Sequence, residues 1–126
     1  MCCLMYPKAG TGKKRRKHAV SIIQEKDGTC FLCSCLHGDT RRKKLERHHI
    51  FYGPNRAASE QEGLTVYLCR SHHQYAFDAN PEAIHGNPKS RKTDLFLKQI
   101  AQMQYEKKHT REEFMKLIGK NYLEKE

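Results

Sequence analysis

The sequence predicts an α+β fold in which a two-stranded hairpin and a short helix form a small core, followed by two C-terminal helices. Three observations carry this expectation. Residues 45 to 51 and 64 to 68 have the composition and length of strands, and the polar stretch between them holds the turn Gly53-Pro54-Asn55. From Cys69 onward the pattern is helical. Cysteines and histidines crowd between Cys30 and His73 in paired spacings that a packed core does not need.

With 126 residues, 37% hydrophobic and 30% charged, the chain has room for one small domain. A core this thin needs a staple. Six cysteines would allow disulfides, but Met1 to Tyr6 is too short an apolar run for a signal peptide and meets Pro7-Lys8 at once. The expected compartment is therefore the reducing cytoplasm, where such cysteines signal metal. No run approaches the roughly 18 apolar residues of a membrane span. The net charge is +10, of which residues 1 to 56 hold +9 and residues 57 to 126 hold +1. That asymmetry points to a polyanionic partner, nucleic acid rather than membrane.

Residues 1 to 18 read as a flexible basic arm, with Lys13, Lys14, Arg15, Arg16 and Lys17 poised for phosphate. Residues 19 to 90 form the core unit. Within it, 19 to 24 read as one or two helical turns and Asp27-Gly28 as a turn. Cys30-x2-Cys33 fits a tight metal knuckle. A second basic run, Arg41, Arg42, Lys43 and Lys44, precedes the first strand and favours phosphate contact. Ser59-x-x-Glu62 is a capping box in the loop between the strands, and residues 70 to 77 suit a helix that ends before Asn80-Pro81. Residues 91 to 126 are a helical extension of the same domain. One helix opens near Thr93 or Asp94, with Phe96, Ile100, Met103 and Leu97 as its core stripe. The other is announced by the capping box Thr110 to Glu113, carries Phe114, Leu117 and Ile118 on one face, and ends at Gly119.

Cys30, Cys33, Cys69 and His72 make a four-donor set of the kind that closes around a tetrahedral structural zinc. Adjacent helical residues point about 100° apart, so with His72 turned to zinc, His73 must face elsewhere. The hairpin histidines His48 and His49 are its obvious partners. Strict strand alternation would put those two on opposite faces. A divalent ion held by imidazoles with open positions can take a phosphate oxygen, and a neighbouring unligated histidine can act as base near neutral pH.

Cys-x2-Cys, then His48-His49-Ile50, then Val66-Tyr67-Leu68-Cys69-x2-His72-His73 resembles the HNH endonucleases with their ββα-metal fold, in the zinc-clasped version. The string from His48 to Arg56, with Ser59-Glu60, Gly63-Leu64, Arg111 to Met115 and Gly119 to Leu123, is similar to small HNH-like proteins of bacteriophages and prophages. The resemblance covers most of the chain after about Lys13. It implies a phage- or prophage-encoded protein that cleaves DNA through one catalytic divalent ion (Mg, Mn, Ni or Zn). It assigns His48 and His73 as ligands of that ion and His49 as general base, with His85 as a third ligand or a phosphate contact. Arg47, Arg56 and the basic runs would bind the nucleic-acid backbone, DNA first and RNA second. One position departs: the family's middle Asn, which braces the loop before the second strand, falls near Gly63, and Asn55 is the nearest substitute. An alternative from another class is a zinc-stabilised nucleic-acid-binding module without catalysis, serving phage recombination, packaging or counter-defence.

Overall fold

A computed structural model describes residues 19 to 123. The basic arm with Lys13 to Lys17 lies outside them. The elements run α1 (Phe31–His37), β1 (Leu45–His49), a 3-10 turn (Gly53–Asn55), α2 (Arg56–Glu62), β2 (Thr65–Cys69), α3 (Arg70–His73), α4 (Tyr75–Asp78), α5 (Arg91–Tyr105) and α6 (Arg111–Ile118). The fold is mixed α+β, and its sheet is one antiparallel pair in which Leu45 faces Cys69 and His49 faces Thr65.

The first strand starts where expected but ends two residues early, and the second is shifted by one residue. β1 stops at His49, and Ile50 and Phe51 turn into the core, fully buried. β2 begins at Thr65 and reaches Cys69, so its last residue is already a donor to the thiolate cluster. β2 is buried along both faces, and it is α1, α3 and the segment at 19 to 24 that cover it. That segment is not helical. It lies along β2, where Ser21 Oγ donates to the Thr65 carbonyl and the Tyr67 amide donates to Gln24 Oε1 at 2.7 Å, because polar side chains supply the bonds a third strand would otherwise make.

The loop between the strands is mostly helix α2. Ser59 sits inside it, not at its cap, and is fully buried. Its hydroxyl accepts from the Phe51 amide at 2.9 Å and donates to the Leu64 carbonyl at 3.0 Å, tying the exit of β1 to the entry of β2. These bonds join the two strands without Asn55, the nearest substitute for the absent asparagine. Asn55 instead donates to the Ile118 carbonyl at the end of α6. Gly63 ends α2 at φ +72, and a Cβ there would overlap the Val20 carbonyl oxygen, so no asparagine fits the position.

The predicted helix over 70 to 77 is broken. Gln74 is extended (φ −120, ψ 110) and separates α3 from α4. In the C-terminal unit α5 opens at Arg91, and its buried residues are Leu97, Ala101, Gln102 and Tyr105. Of the expected stripe Leu97 is fully buried, whereas Phe96 lies at the margin of the core, Ile100 is half-buried and Met103 is 54% exposed. The reason is the partner, since Tyr105 packs on Phe114 of α6 and Phe114 on Phe51. The capping box of α6 is formed in both directions, and Gly119 closes it in the left-handed conformation. No helix among the described residues is long and apolar enough to cross a membrane.

Candidate metal centres

The first centre is built by three elements. Cys30 precedes α1 and caps it, its sulfur accepting from the Cys33 amide at 3.4 Å; Cys33 lies in the first turn of the helix, so the knuckle is the start of a helix. Cys69 ends β2, and His72 lies three residues on in α3. His72 Nδ1 stands 3.7, 3.4 and 3.5 Å from the sulfurs of Cys30, Cys33 and Cys69, and the Cys33 and Cys69 sulfurs are 3.8 Å apart. Vertices of a tetrahedron about 2.3 Å from its centre are about 3.8 Å apart, and slightly less where nitrogen replaces sulfur. The four donors therefore fit a tetrahedral ion such as zinc. Cys35 is exposed and stands outside the set.

Burial pushes the Cys30 thiol up to about 12. An ion must therefore displace its proton, and uptake strengthens as pH rises. The surroundings prepare for the charge. Three thiolates around a divalent ion leave one net negative charge, and Lys43 Nζ lies 3.0 Å from Cys33 Sγ and 2.8 Å from Asp39. Glu82 Oε1 is 2.7 Å from His72 Nε2 and 2.8 Å from His37 Nε2. Burial alone would raise the Glu82 carboxyl, but the bonds from His72 and His37 outweigh it and hold it below its ordinary value. As an acceptor, Glu82 keeps the His72 proton on Nε2 and its Nδ1 lone pair toward the sulfurs. Glu82→Ala is expected to weaken ion binding about 10- to 100-fold with the fold retained, measured by competition with a chromophoric chelator. Unchanged affinity would show that Glu82 does not orient the ligand.

The second centre lies on the other side of α3. His48, His73 and His85 bring their ring centres to 5.2, 5.1 and 4.8 Å from one another, and one nitrogen of each falls within 4.8 Å of the others. His48 is fully buried and neither of its ring nitrogens has a hydrogen-bond partner among the described residues. Burial, with His73 and His85 adding to it, pulls its pKa down to about 2, so the ring stays neutral and ready to ligate. His73 donates its Nδ1–H to Glu46 Oε1 at 2.7 Å, which leaves Nε2 for an ion. The hydrogen bond to His73 holds the Glu46 carboxyl below its ordinary value. His85 is delivered by the break at Gln74. Its amide donates to the His73 carbonyl at 3.0 Å and its carbonyl accepts from the Tyr75 amide at 2.9 Å, a one-residue parallel bridge beside Gln74.

His49 is not in this cluster. Strand alternation holds, and His49 lies on the opposite face of β1 with Arg47. Its Nε2 meets Glu60 Oε1 at 2.7 Å, and Arg47 Nε stands 3.4 Å from the same oxygen. The result is a carboxylate–imidazole pair beside, not inside, the three-imidazole cup. Arg47 further donates to the Ala19 carbonyl and the Tyr67 hydroxyl, so most of its guanidinium is occupied within the fold. Arg41 is bound by Asp39 at 3.0 Å. Arg42, Lys44 and Arg56 are exposed. Lys26, Arg42, Lys43, Arg47 and Tyr67 line a groove of about 730 Å³ together with Ala19, the first described residue.

Glu46, Glu60, Glu82 and the role of Lys43 escaped the sequence reading. Glu46 had a signal, since it is two residues before His48 and alternation puts both on one face. Glu60 and Glu82 had none, because their contacts cross loops. Comparison of the chain with protein-family models, with curated proteins and with solved structures finds no match.

Proposed function

We propose that the chain is a metal-dependent endonuclease of the HNH type, hydrolysing phosphodiester bonds in DNA. The structural ion is zinc at Cys30, Cys33, Cys69 and His72, and the catalytic ion is divalent, held by His48, His73 and His85. The observation that carries this reading is the buried His48, whose two partnerless nitrogens lie in a cup with two other imidazoles. Leaving such groups without partners costs about 1–3 kcal/mol each, and an ion satisfies one of them. An all-imidazole set suits Zn or Ni better than Mg or Mn, which prefer oxygen donors.

A bound divalent ion would supply Lewis-acid stabilisation of charge on the phosphate and the leaving oxygen. Glu46 fixes the His73 ring so that Nε2 faces the cup. Tyr52, 40% exposed, walls the cup beside His48 and His85. In-line attack brings water from the side of the phosphorus away from the leaving oxygen, so a base outside the ion's ligand shell is what the reaction asks for. His49 fits that role: with Nε2–H donated to Glu60, its Nδ1 can accept a proton from water. The exposed Arg42, Lys44 and Arg56, the groove at Ala19 and the arm supply counter-charge for the backbone.

Supercoiled plasmid and single-stranded DNA incubated with zinc-replete protein, with and without added Mn, Ni or Mg, test the reading. Metal-dependent nicking that disappears in His73→Ala is expected. Binding without cleavage in every metal would favour the second reading, a zinc-stabilised nucleic-acid-binding module. That reading draws on His49 standing outside the cup and on the glycine at position 63.

A further inference from the structure

Helix α5 brings a charged group to the edge of the imidazole cup. Lys98 Nζ is 2.9 Å from Asp94 Oδ2, 4.7 Å from the centre of the Tyr52 ring and 5.6 Å from that of Tyr122. The Tyr52 hydroxyl donates to the same Asp94 oxygen at 2.9 Å. The Tyr52 ring in turn stands 5.6 Å from His85 and 6.3 Å from His48. The Lys98 side chain is only 16% exposed. Burial pulls its pKa down, but the bond and charge of Asp94 outweigh this, so the ammonium persists.

A helix brace does not require this arrangement. An i,i+4 ion pair on a helix contributes only about 0.3–0.5 kcal/mol, and an apolar side chain would pack between two tyrosines without the cost of burying a charge. An ammonium has three donors, of which Asp94 takes one and the Tyr52 hydroxyl a second, leaving one. A lone cation here would also repel a divalent ion in the cup. Asp94 offsets that repulsion at the ion while leaving Lys98 able to donate.

We propose that Lys98 is the anion contact of the imidazole centre, donating to a non-bridging oxygen of a phosphate group bound at the ion, with Asp94 and Tyr52 holding it in place. This rests on the reading that the cup binds a divalent ion. It does not require that the bound phosphodiester be cleaved.

The test uses the full chain with zinc in the thiolate centre and cobalt in the imidazole cup, titrated with inorganic phosphate and followed by the visible cobalt absorbance. Lys98→Ala is expected to weaken phosphate binding about tenfold, the loss of one charge-assisted hydrogen bond. Lys98→Arg should restore most of it, and cobalt affinity should stay within about twofold in both variants. Unchanged phosphate affinity in Lys98→Ala overturns the proposal. So does a cobalt affinity that falls by the same factor as phosphate affinity, which would make Lys98 a brace. A wild-type cup that takes no cobalt overturns the ion reading and this contact with it. Phosphate binding that depends on Lys98 while plasmid stays uncut leaves the contact standing and removes the nuclease.

Discussion

Cys30→Ser is expected to leave the chain unfolded at room temperature and depleted of zinc. Cys30 is fully buried, is one of four donors to one centre, and caps α1 through its sulfur. A serine oxygen is a poorer and shorter donor, and its loss opens the ligand set that joins α1, β2 and α3. Structural zinc contributes about 10–16 kcal/mol of apparent binding free energy, against a total stability of about 5–15 kcal/mol for a folded domain. Losing most of the first term exceeds what the rest of this small core can supply. Far-UV circular dichroism, a thermal scan and zinc per chain read the outcome together. A variant that melts with wild type and retains its zinc would refute the structural role of the thiolate centre.

His49→Ala should behave in the opposite way. Its side chain belongs to neither ligand set, so fold and both metal contents are expected to persist, with nicking slowed about 10²- to 10⁴-fold, the usual contribution of a positioned base. Glu60→Gln should slow the reaction less, because glutamine can still accept from His49 but no longer stabilises the imidazolium that forms. Plasmid nicking by the metal-loaded variants, with metal content measured on the same samples, decides it. Full activity in His49→Ala would take His49 out of the mechanism and turn attention to water activated at the cup alone.

The thiolate centre was legible because its donors come in short local pairs, and the spacing of each pair is set by one turn of backbone. The hairpin was legible from composition. The divergence of His72 and His73 followed from helix geometry, and alternation already warned that His48 and His49 part company. What could not be read was whatever depends on a long-range partner. Leu97 is core as the pattern says, but Ala101 and Tyr105 take the place of Met103 because Phe114 arrives from α6, and nothing within α5 says so. Lys43 sat in a basic run and read as a phosphate contact, yet Asp39 and Cys33 hold its ammonium. Ser59 scored as a cap and is a buried strut.

The extended backbone of Gln74 opens the place where a third imidazole reaches the cup, with the His72 and His73 carbonyls holding the segment that carries it. Were Gln74 helical, the Tyr75 amide would be spent within the helix and the His85 carbonyl would lose that partner. The donor count of this centre is therefore under the control of a residue whose side chain need never touch an ion. In evolutionary terms, a lineage could convert a three-imidazole centre to a two-imidazole one, or back, by altering conformational preference at one position while every ligand stays the same. In the thiolate centre every donor lies within a helix or strand or directly at its cap, and none is delivered by a bridge at a helix break.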